Sequence, residues 1–468
     1  HHIVSGKGMK KIVVLGGGIS GLVTALEATR KGFLVSIIET SNRLGGWIQT
    51  VRHEDGTHFE LGPRTVSATT KTGKFALQYA ESIGLSDMVI GIPKTNPAAS
   101  KRLIVYDHEL HEVQMGLKTF ILGGNLIKKP LLMSLLKDFT TKKKPLSDDS
   151  FYNFFERRFG KELADKLVDP ICKGITGGDS KKISIKLIMN KLFEYEQKYG
   201  SVTQGMMGNL FSKSEDFNSS KLVEAKEKKW QMWTLKGGME TFIDKLHEEL
   251  AIANVVIHQV DDYNVHLSPG VATVELPNET ITGNHLISAI PAHSLIKLLG
   301  KTCLQNFTEP LLSLNTVDIG LVNLEYEDCA LPVEGFGYLI ASTENTDVLG
   351  VTFDTCAVPM GNKTIMTVMI GGSTPAKTTE DLLQTARSEI GHRLGISKTP
   401  CRYKVTLLEK CIPQYHVGYY KTIEDFRKLI ASTGLPLSVI GASFNGISIA
   451  DLIQSSCKQI DELIKTLQ

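Results

Sequence analysis

The chain has 468 residues, 42% of them hydrophobic and 22% charged, the balance of a globular protein rather than a fibrous or disordered one. That length predicts two or three domains and room for a sizeable buried cavity. A formal net charge of +2 excludes the concentrated basic face that nucleic-acid binding calls for, so no nucleic-acid partner is expected.

His1 to Gly8 reads as an appended segment ahead of Met9 and is set aside. No secretory signal or Arg-rich transit peptide follows, which taken alone predicts a cytosolic protein. No run reaches the ~18 apolar residues of a bilayer-crossing helix, so any membrane contact is expected to be lateral. The first element is an apolar strand, Ile12-Val13-Val14-Leu15, running into Gly16-Gly17-Gly18-Ile19-Ser20-Gly21 and a helix from Leu22 to Lys31. In a G-x-G-x-x-G turn the first glycine bends the chain, the second lets backbone reach a pyrophosphate, and the third lets helix and sheet approach. The helix N-terminus adds N–H donors and a positive dipole end. Alone the glycines are equally a tight βα turn. A second strand, Leu34 to Ile38, then ends at Glu39, about 20 residues on, where an acid holds ribose hydroxyls. Together these predict a dinucleotide site.

Next come Thr40, Arg43, Gly45, Gly46 and Trp47, a basic residue and a glycine pair that a nicotinamide site does not need; the other reading is a surface turn. Phe59-Glu60-Leu61 leads into a loop at Gly62-Pro63-Arg64-Thr65, and residues 71 to 94 read as a helix and its exit. Lys101 to Tyr106 and Glu109 to Val113 alternate around Asp107-His108, the pattern of a hairpin, and carry Arg102. From Gly116 to about Leu210 the pattern is helical. Phe120, Ile121, Leu131, Leu132, Leu135 and Leu136 stand beside Lys128, Lys129, Lys137 and Lys142-Lys143-Lys144. This predicts either core-facing helices with solvated charges or an apolar face laid on anionic lipid.

Residues 201 to 229 are rich in Ser, Lys and Glu and are expected to form a mobile loop. Trp233 to Met239 leads into a helix ending at Ala251. Val255 to Val260 and Leu286 to Pro291 read as strands, and residues 310 to 412 alternate as β-structure around a helix near Thr379 to Leu394. A last strand, Leu437 to Ile440, turns through glycines into a helix from Ile449. Seven scattered cysteines without Cys-x-x-Cys predict reduced thiols, and the thirteen histidines form no ligand pair, so no metal is expected.

Several of these segments, in one order, resemble the protoporphyrinogen oxidase family of the flavin amine oxidase superfamily. They are Arg43-x-Gly45-Gly46, Phe59 to Arg64, Gly335 to Leu339, Val368 to Gly372, Cys411 to Tyr415 and Gly441 to Gly446. The likeness runs from about Lys10 to the C-terminus and is nearer the animal mitochondrial type. It implies an α/β chain, an FAD-binding Rossmann-like domain interleaved with an α+β substrate domain and a mostly helical membrane-associating domain. The expected boundaries are FAD-binding residues 9–94, a substrate-domain hairpin over 95–115, membrane-associating helices over 116–210, a loop and second FAD-binding part over 211–300, substrate binding over 301–412, and a third FAD-binding part over 413–468.

The activity implied is FAD-dependent oxidation of protoporphyrinogen IX by molecular oxygen, with peroxide released, in haem biosynthesis. The flavin carries the hydride step, so no catalytic side chain is assigned. The resemblance places Gly16, Gly17, Gly18, Ile19, Ser20, Gly21, Glu39, Thr40, Arg43, Trp47, Gly62, Pro63, Arg64, Thr65, Val260, Ala442, Ile447, Ser448 and Ile449 along FAD. Ser448 departs from a more apolar pattern. Arg102 is the expected propionate ligand, a permanently charged fork that suits a carboxylate, with an ordinary surface salt bridge as its alternative. Phe336, Leu339 and Met369 are placed against the macrocycle, though without the resemblance they read as core. Gly174 gives either close backbone approach or a helix end. Also implied are peripheral attachment to the mitochondrial inner membrane on its intermembrane-space side, a homodimer, and a hand-off of product to ferrochelatase. Rival readings are an amine oxidase, a carotenoid-type desaturase and a non-catalytic tetrapyrrole-binding flavoprotein.

Overall fold

The computed structural model describes residues 8–212, 218–372 and 377–467. The expectation for His1 to Gly8 therefore falls almost wholly outside the described residues. The first strand, Lys11–Leu15, sits inside a five-stranded parallel sheet ordered Val256–Gln259, Leu34–Glu39, Lys11–Leu15, His285–Ser288, Leu437–Val439. Ile12 to Leu15 are wholly buried, as strands covered on both faces must be. On one face Ile12, Val14 and Ile37 meet the helices Ile19–Arg30, Lys71–Ser82, Glu240–Ile252 and Ile449–Leu467. On the other, Val13, Leu15, Ile38 and Leu286 meet an antiparallel meander of Asn264–Ser268, Val271–Glu275 and Thr280–Gly283.

A second sheet has seven strands in the order Arg402–Gln414, Asn315–Glu327, Lys363–Ile370, Val348–Phe353, Gly337–Ile340, Leu103–Tyr106, Glu109–Glu112. The hairpin expected near Arg102 forms its edge. Because side chains alternate across a strand, Val322, Leu324, Met366 and Val368 pack on the helix Thr379–Leu394, while Ile319, Leu321, Asn323, Thr367 and Met369 turn the other way. Gln414 lies within the strand that begins at Arg402, so that strand runs past residue 412.

Residues 116–210 form a helical layer that includes Leu131–Thr140, Phe151–Phe159, Asp169–Thr176, Ile185–Tyr199 and Val202–Leu210. Its polar centre is Arg158, wholly buried, which pairs with Asp138 at 2.7 Å and Glu196 at 3.0 Å. Asp138 also accepts from Thr203 N–H at 2.7 Å and Val202 N–H at 3.2 Å, tying two helices together. The mobile loop expected over 201–229 is corrected: Val202–Leu210 and Ser220–Glu227 are helices and Trp230–Leu235 is a strand, while 213–217 lie outside the described residues. Ser219 Oγ accepts from Leu222 N–H at 3.4 Å, and Leu222 and Ala225 are buried, so a polar exterior conceals an anchored helix.

Candidate active site

A cavity of about 910 Å³ is lined by the ends of the parallel sheet and by the free face of the seven-stranded sheet. At its dinucleotide end, Gly16 stands at φ +101°, which favours glycine, and a Cβ there would lie 3.1 Å from Ala289 O. A Cβ on Gly21 would fall 1.9 Å from Gly16 O. Gly18 differs from both. Its φ is −75° and a Cβ there would meet no protein atom closer than Gly46 Cα at 3.9 Å, so neither strain nor packing accounts for a glycine. The space a side chain would fill is the space a pyrophosphate needs, at the N-terminus of the Ile19–Arg30 helix. Glu39 takes N–H bonds from Gly17 and Ser41, each at 2.8 Å, and keeps acceptor capacity for ribose hydroxyls. These residues fit FAD.

Of the residues expected on the cofactor, Gly16, Gly18, Ile19, Ser20, Glu39, Thr40, Trp47, Gly62, Pro63, Arg64, Ala442, Ile447 and Ile449 line the cavity. Gly17 and Gly21 stand just behind it, shaping the turn. Val260 is not in the lining; it gives its N–H to Glu39 O at 3.0 Å. Arg43 is not in the lining. Its guanidinium donates to Gly46 O and Ile48 O, each at 2.7 Å, and pairs with Glu240 at 3.0 Å, so it clamps the Gly45-Gly46 loop. Thr65 lies instead in a small pocket of about 30 Å³ behind Arg64. Ser448 Oγ accepts from Asp451 N–H at 3.1 Å, and capping the last helix gives its polarity a structural reason.

On the substrate side the structure separates the expected residues. Gly174 and Met369 line the cavity, but Arg102, Phe336 and Leu339 do not. Gly174 is no helix end; it lies within Asp169–Thr176, where a Cβ would come 2.3 Å from Leu339 Cδ2, and the helix terminates at left-handed Gly177. Leu339 thus stands behind Gly174. Arg102 stacks its guanidinium 5.6 Å from the Phe336 ring centre and donates weakly to Ala98 O at 3.4 Å. Burial pulls its pKa below the ordinary arginine value.

Sequence reasoning missed what holds Arg64. Its Nε pairs with Asp354 at 3.0 Å, without a well-directed hydrogen bond; Nη1 donates to Thr352 Oγ1 at 3.2 Å and Nη2 to Glu60 O at 3.2 Å. Asn323 Nδ2 bridges Glu60 O at 3.1 Å and Thr367 Oγ1 at 2.9 Å. Arg64 thereby fastens the Gly62-Pro63 loop to the second sheet. Burial, opposed by the Thr50 hydroxyl and then by Arg64, pushes the Glu60 carboxyl up to about 7. At the other end Tyr415 OH accepts from Gly446 N–H at 3.0 Å and Tyr419 OH donates to Ser443 O at 2.8 Å, fixing the closing turn. The thiol of Cys411, in the cavity wall, is raised to about 12 by burial and then by the Asp318 charge, so it stays protonated.

Residues 19–459 match the family described as flavin containing amine oxidoreductase. The protoporphyrinogen oxidase of Bos taurus is 32% identical over 463 residues, spanning 95% of this chain and 96% of that protein. A coproporphyrinogen III oxidase of Bacillus subtilis is 26% identical over 495 residues, spanning 98% and 99%. A crystal structure from Exiguobacterium shares the fold with a TM-score of 0.78 at 21% identity, over 98% of this chain and 99% of that one. With its glycine turn, ribose acid and closing helix on one cavity, the chain belongs to the flavin containing amine oxidoreductases, and among them to the protoporphyrinogen oxidase family.

Proposed function

We propose that this protein oxidises protoporphyrinogen IX to protoporphyrin IX with molecular oxygen, releasing hydrogen peroxide. The carrying observation is that the dinucleotide cradle opens without interruption onto a broad wall of Ile319, Leu321, Met369, Leu408, Ile412 and Pro413, an apolar surface suited to a flat macrocycle. Bound FAD supplies the hydride acceptor and the reaction with oxygen. The chain itself orients the macrocycle and excludes water with this wall, and holds the cofactor loop through Arg64. The test is aerobic incubation of the purified protein with protoporphyrinogen IX. The expected result is a yellow protein that generates porphyrin fluorescence and peroxide; colourless protein, or peroxide only from amines, overturns the reading. Coproporphyrinogen III run in parallel identifies which porphyrinogen is preferred.

Arg102 remains our candidate for a substrate carboxylate, because its guanidinium lies over Phe336 with one weak internal bond and no carboxylate partner among the described residues. Arg102→Ala is expected to raise KM roughly 10- to 100-fold, the worth of one charge-assisted hydrogen bond, with the flavin spectrum intact. Loss of flavin instead would mark Arg102 as structural.

We also propose that the helical layer lies on an anionic membrane, with the mitochondrial inner membrane as the site the family likeness suggests. Leu117, Leu122, Met133, Leu136, Leu210 and Phe211 are exposed on helices that touch one another, Phe211 at 90%. Lys128, Lys129 and Lys142 to Lys144 stand on the same layer. Soluble surfaces seldom expose so many large apolar side chains on adjoining helices, and lysines on the same layer suit lipid phosphates. No helix among the described residues is long and apolar enough to cross a membrane. Leu210→Asp with Phe211→Asp should cut co-sedimentation with phosphatidylserine vesicles roughly tenfold or more while activity in detergent persists; unchanged binding would remove this face from consideration.

A further inference from the structure

The cavity carries charge that neither FAD nor the apolar wall uses. Lys297 on the helix Ala292–Leu299, Lys301 just beyond it and Lys410 on the strand Arg402–Gln414 all line it and are exposed. Among the described residues, none of the three ammonium groups has a hydrogen bond or an ion pair. Lys410 is held there by backbone structure. Pairing of Asn315–Glu327 with Arg402–Gln414 shifts register between Val317 and Ile319, and the extra residues opposite include Lys410. Its φ is +49° and its N–H is fixed to Asp318 Oδ1 at 2.7 Å. Such a bulge re-aims a side chain at a rim.

The two elements act on a common space. His293 is driven toward its neutral form by burial first, then by the charges of Lys410 and Lys297, so those charges reach one point from the helix and from the strand. The opposing acids are Asp261 and Asp262, which line the same cavity, and exposed Glu409; Asp318 is committed to the Lys410 N–H. The remaining cation of the lining, Arg64, is neutralised by Asp354. An anion approaching the cavity therefore meets three uncommitted lysines.

We infer that Lys297, Lys301 and Lys410 form a carboxylate-receiving rim that draws the acid side chains of the tetrapyrrole into the cavity and orients them. The inference rests on the porphyrinogen reading above. Lysine suits the task as a mobile point charge that attracts an incoming anion without demanding one geometry. The same chemistry would also serve the phosphates of the dinucleotide, and the experiment separates the two.

The purified flavoprotein and its K297Q/K301Q/K410Q variant are compared in detergent on protoporphyrinogen IX and on its dimethyl ester, whose carboxyls are uncharged. The expected result is about a tenfold lower kcat/KM on the acid with kcat little changed, and no difference on the ester. The kcat/KM of the wild type should fall with added salt, and that fall should flatten in the variant. FAD content should be equal. Wild-type values and an unchanged salt slope overturn the rim, and so does loss of FAD, which would give the lysines to the dinucleotide. If the wild type itself leaves both porphyrinogens unoxidised, the functional reading fails and the rim with it; an active wild type with an unaffected variant removes the rim alone.

Discussion

Gly21→Ala is expected to destabilise the fold itself, whereas Gly18→Ala is expected to fold normally and to weaken only flavin binding. The two glycines belong to one motif but answer to different partners. At Gly21 the new Cβ would sit 1.9 Å from Gly16 O and 2.9 Å from Gly16 C, both backbone atoms in a turn that is already constrained. No side chain can swing aside, so the cost lies at or above the ~1–3 kcal/mol typical of overpacking. It falls on the helix that packs against both Glu240–Ile252 and Ile449–Leu467. At Gly18 the Cβ finds open space within the protein and an ordinary φ, and it obstructs only what binds there. Thermal melting without ligand should place Gly18→Ala within about 0.5 kcal/mol of wild type. Flavin titration should show its affinity reduced by one to two orders of magnitude. Equal melting losses in the two variants would mean that position 18 is also a packing glycine.

Arg158→Met is the second large effect expected. Asp138 and Glu196 both contact this wholly buried guanidinium; deleting it leaves Asp138 without a counter-charge in a site with no solvent, while Glu196 keeps its pair with Arg157. Breaking one side of such a pair costs about 3–5 kcal/mol. The loss is directed: Asp138 belongs to Leu131–Thr140 and bonds the first N–H groups of Val202–Leu210, the two helices that expose Met133, Leu136 and Leu210. Calorimetry should therefore show a melting temperature lower by about 5 °C. Vesicle binding should fall with it, while flavin absorbance in the cold is retained. Apolar replacement of Asp138 together with Arg158 should recover much of the melting loss, because the desolvation penalty leaves with the pair while Glu196 stays paired with Arg157.

What could be read from the sequence was what is local in the chain. The strand–glycine–helix unit at Lys11–Arg30, the Arg102 hairpin and the helix Thr379–Leu394 each announce themselves within about twenty residues, through periodicity and turn residues. The meander at residues 264–283 did not, because its short strands bury one face only and look like polar connection. The Ser219-capped helix was mistaken for a loop for the same reason. The site divides likewise. Gly16, Gly18 and Glu39 share one contiguous stretch, whereas the partners of Arg64, namely Thr352 and Thr367 on strands and Asp354 at the start of a short helix, are ordinary residue types about three hundred positions away. Nothing in their own neighbourhoods marks them. Arg43 shows another limit of local reading, since the loop carbonyls and the distant Glu240 that hold its guanidinium cannot be told from the basic residue and glycine pair alone.

The order of the parallel sheet also bears on how the protein is made. Lys11–Leu15 and Leu34–Glu39 leave the ribosome first, yet their outer neighbours are Val256–Gln259 and His285–Ser288, and Leu437–Val439 closes the far edge. At a synthesis rate of ~5–20 residues per second, the nucleotide half must wait on the order of ten seconds to a minute with apolar strand edges unpaired. The closing turn supplies Gly441, Ala442 and Ser443 to the cavity lining, so flavin loading is expected to follow completion of the chain. Free flavin should therefore raise the yield of folded protein only when it is present after release.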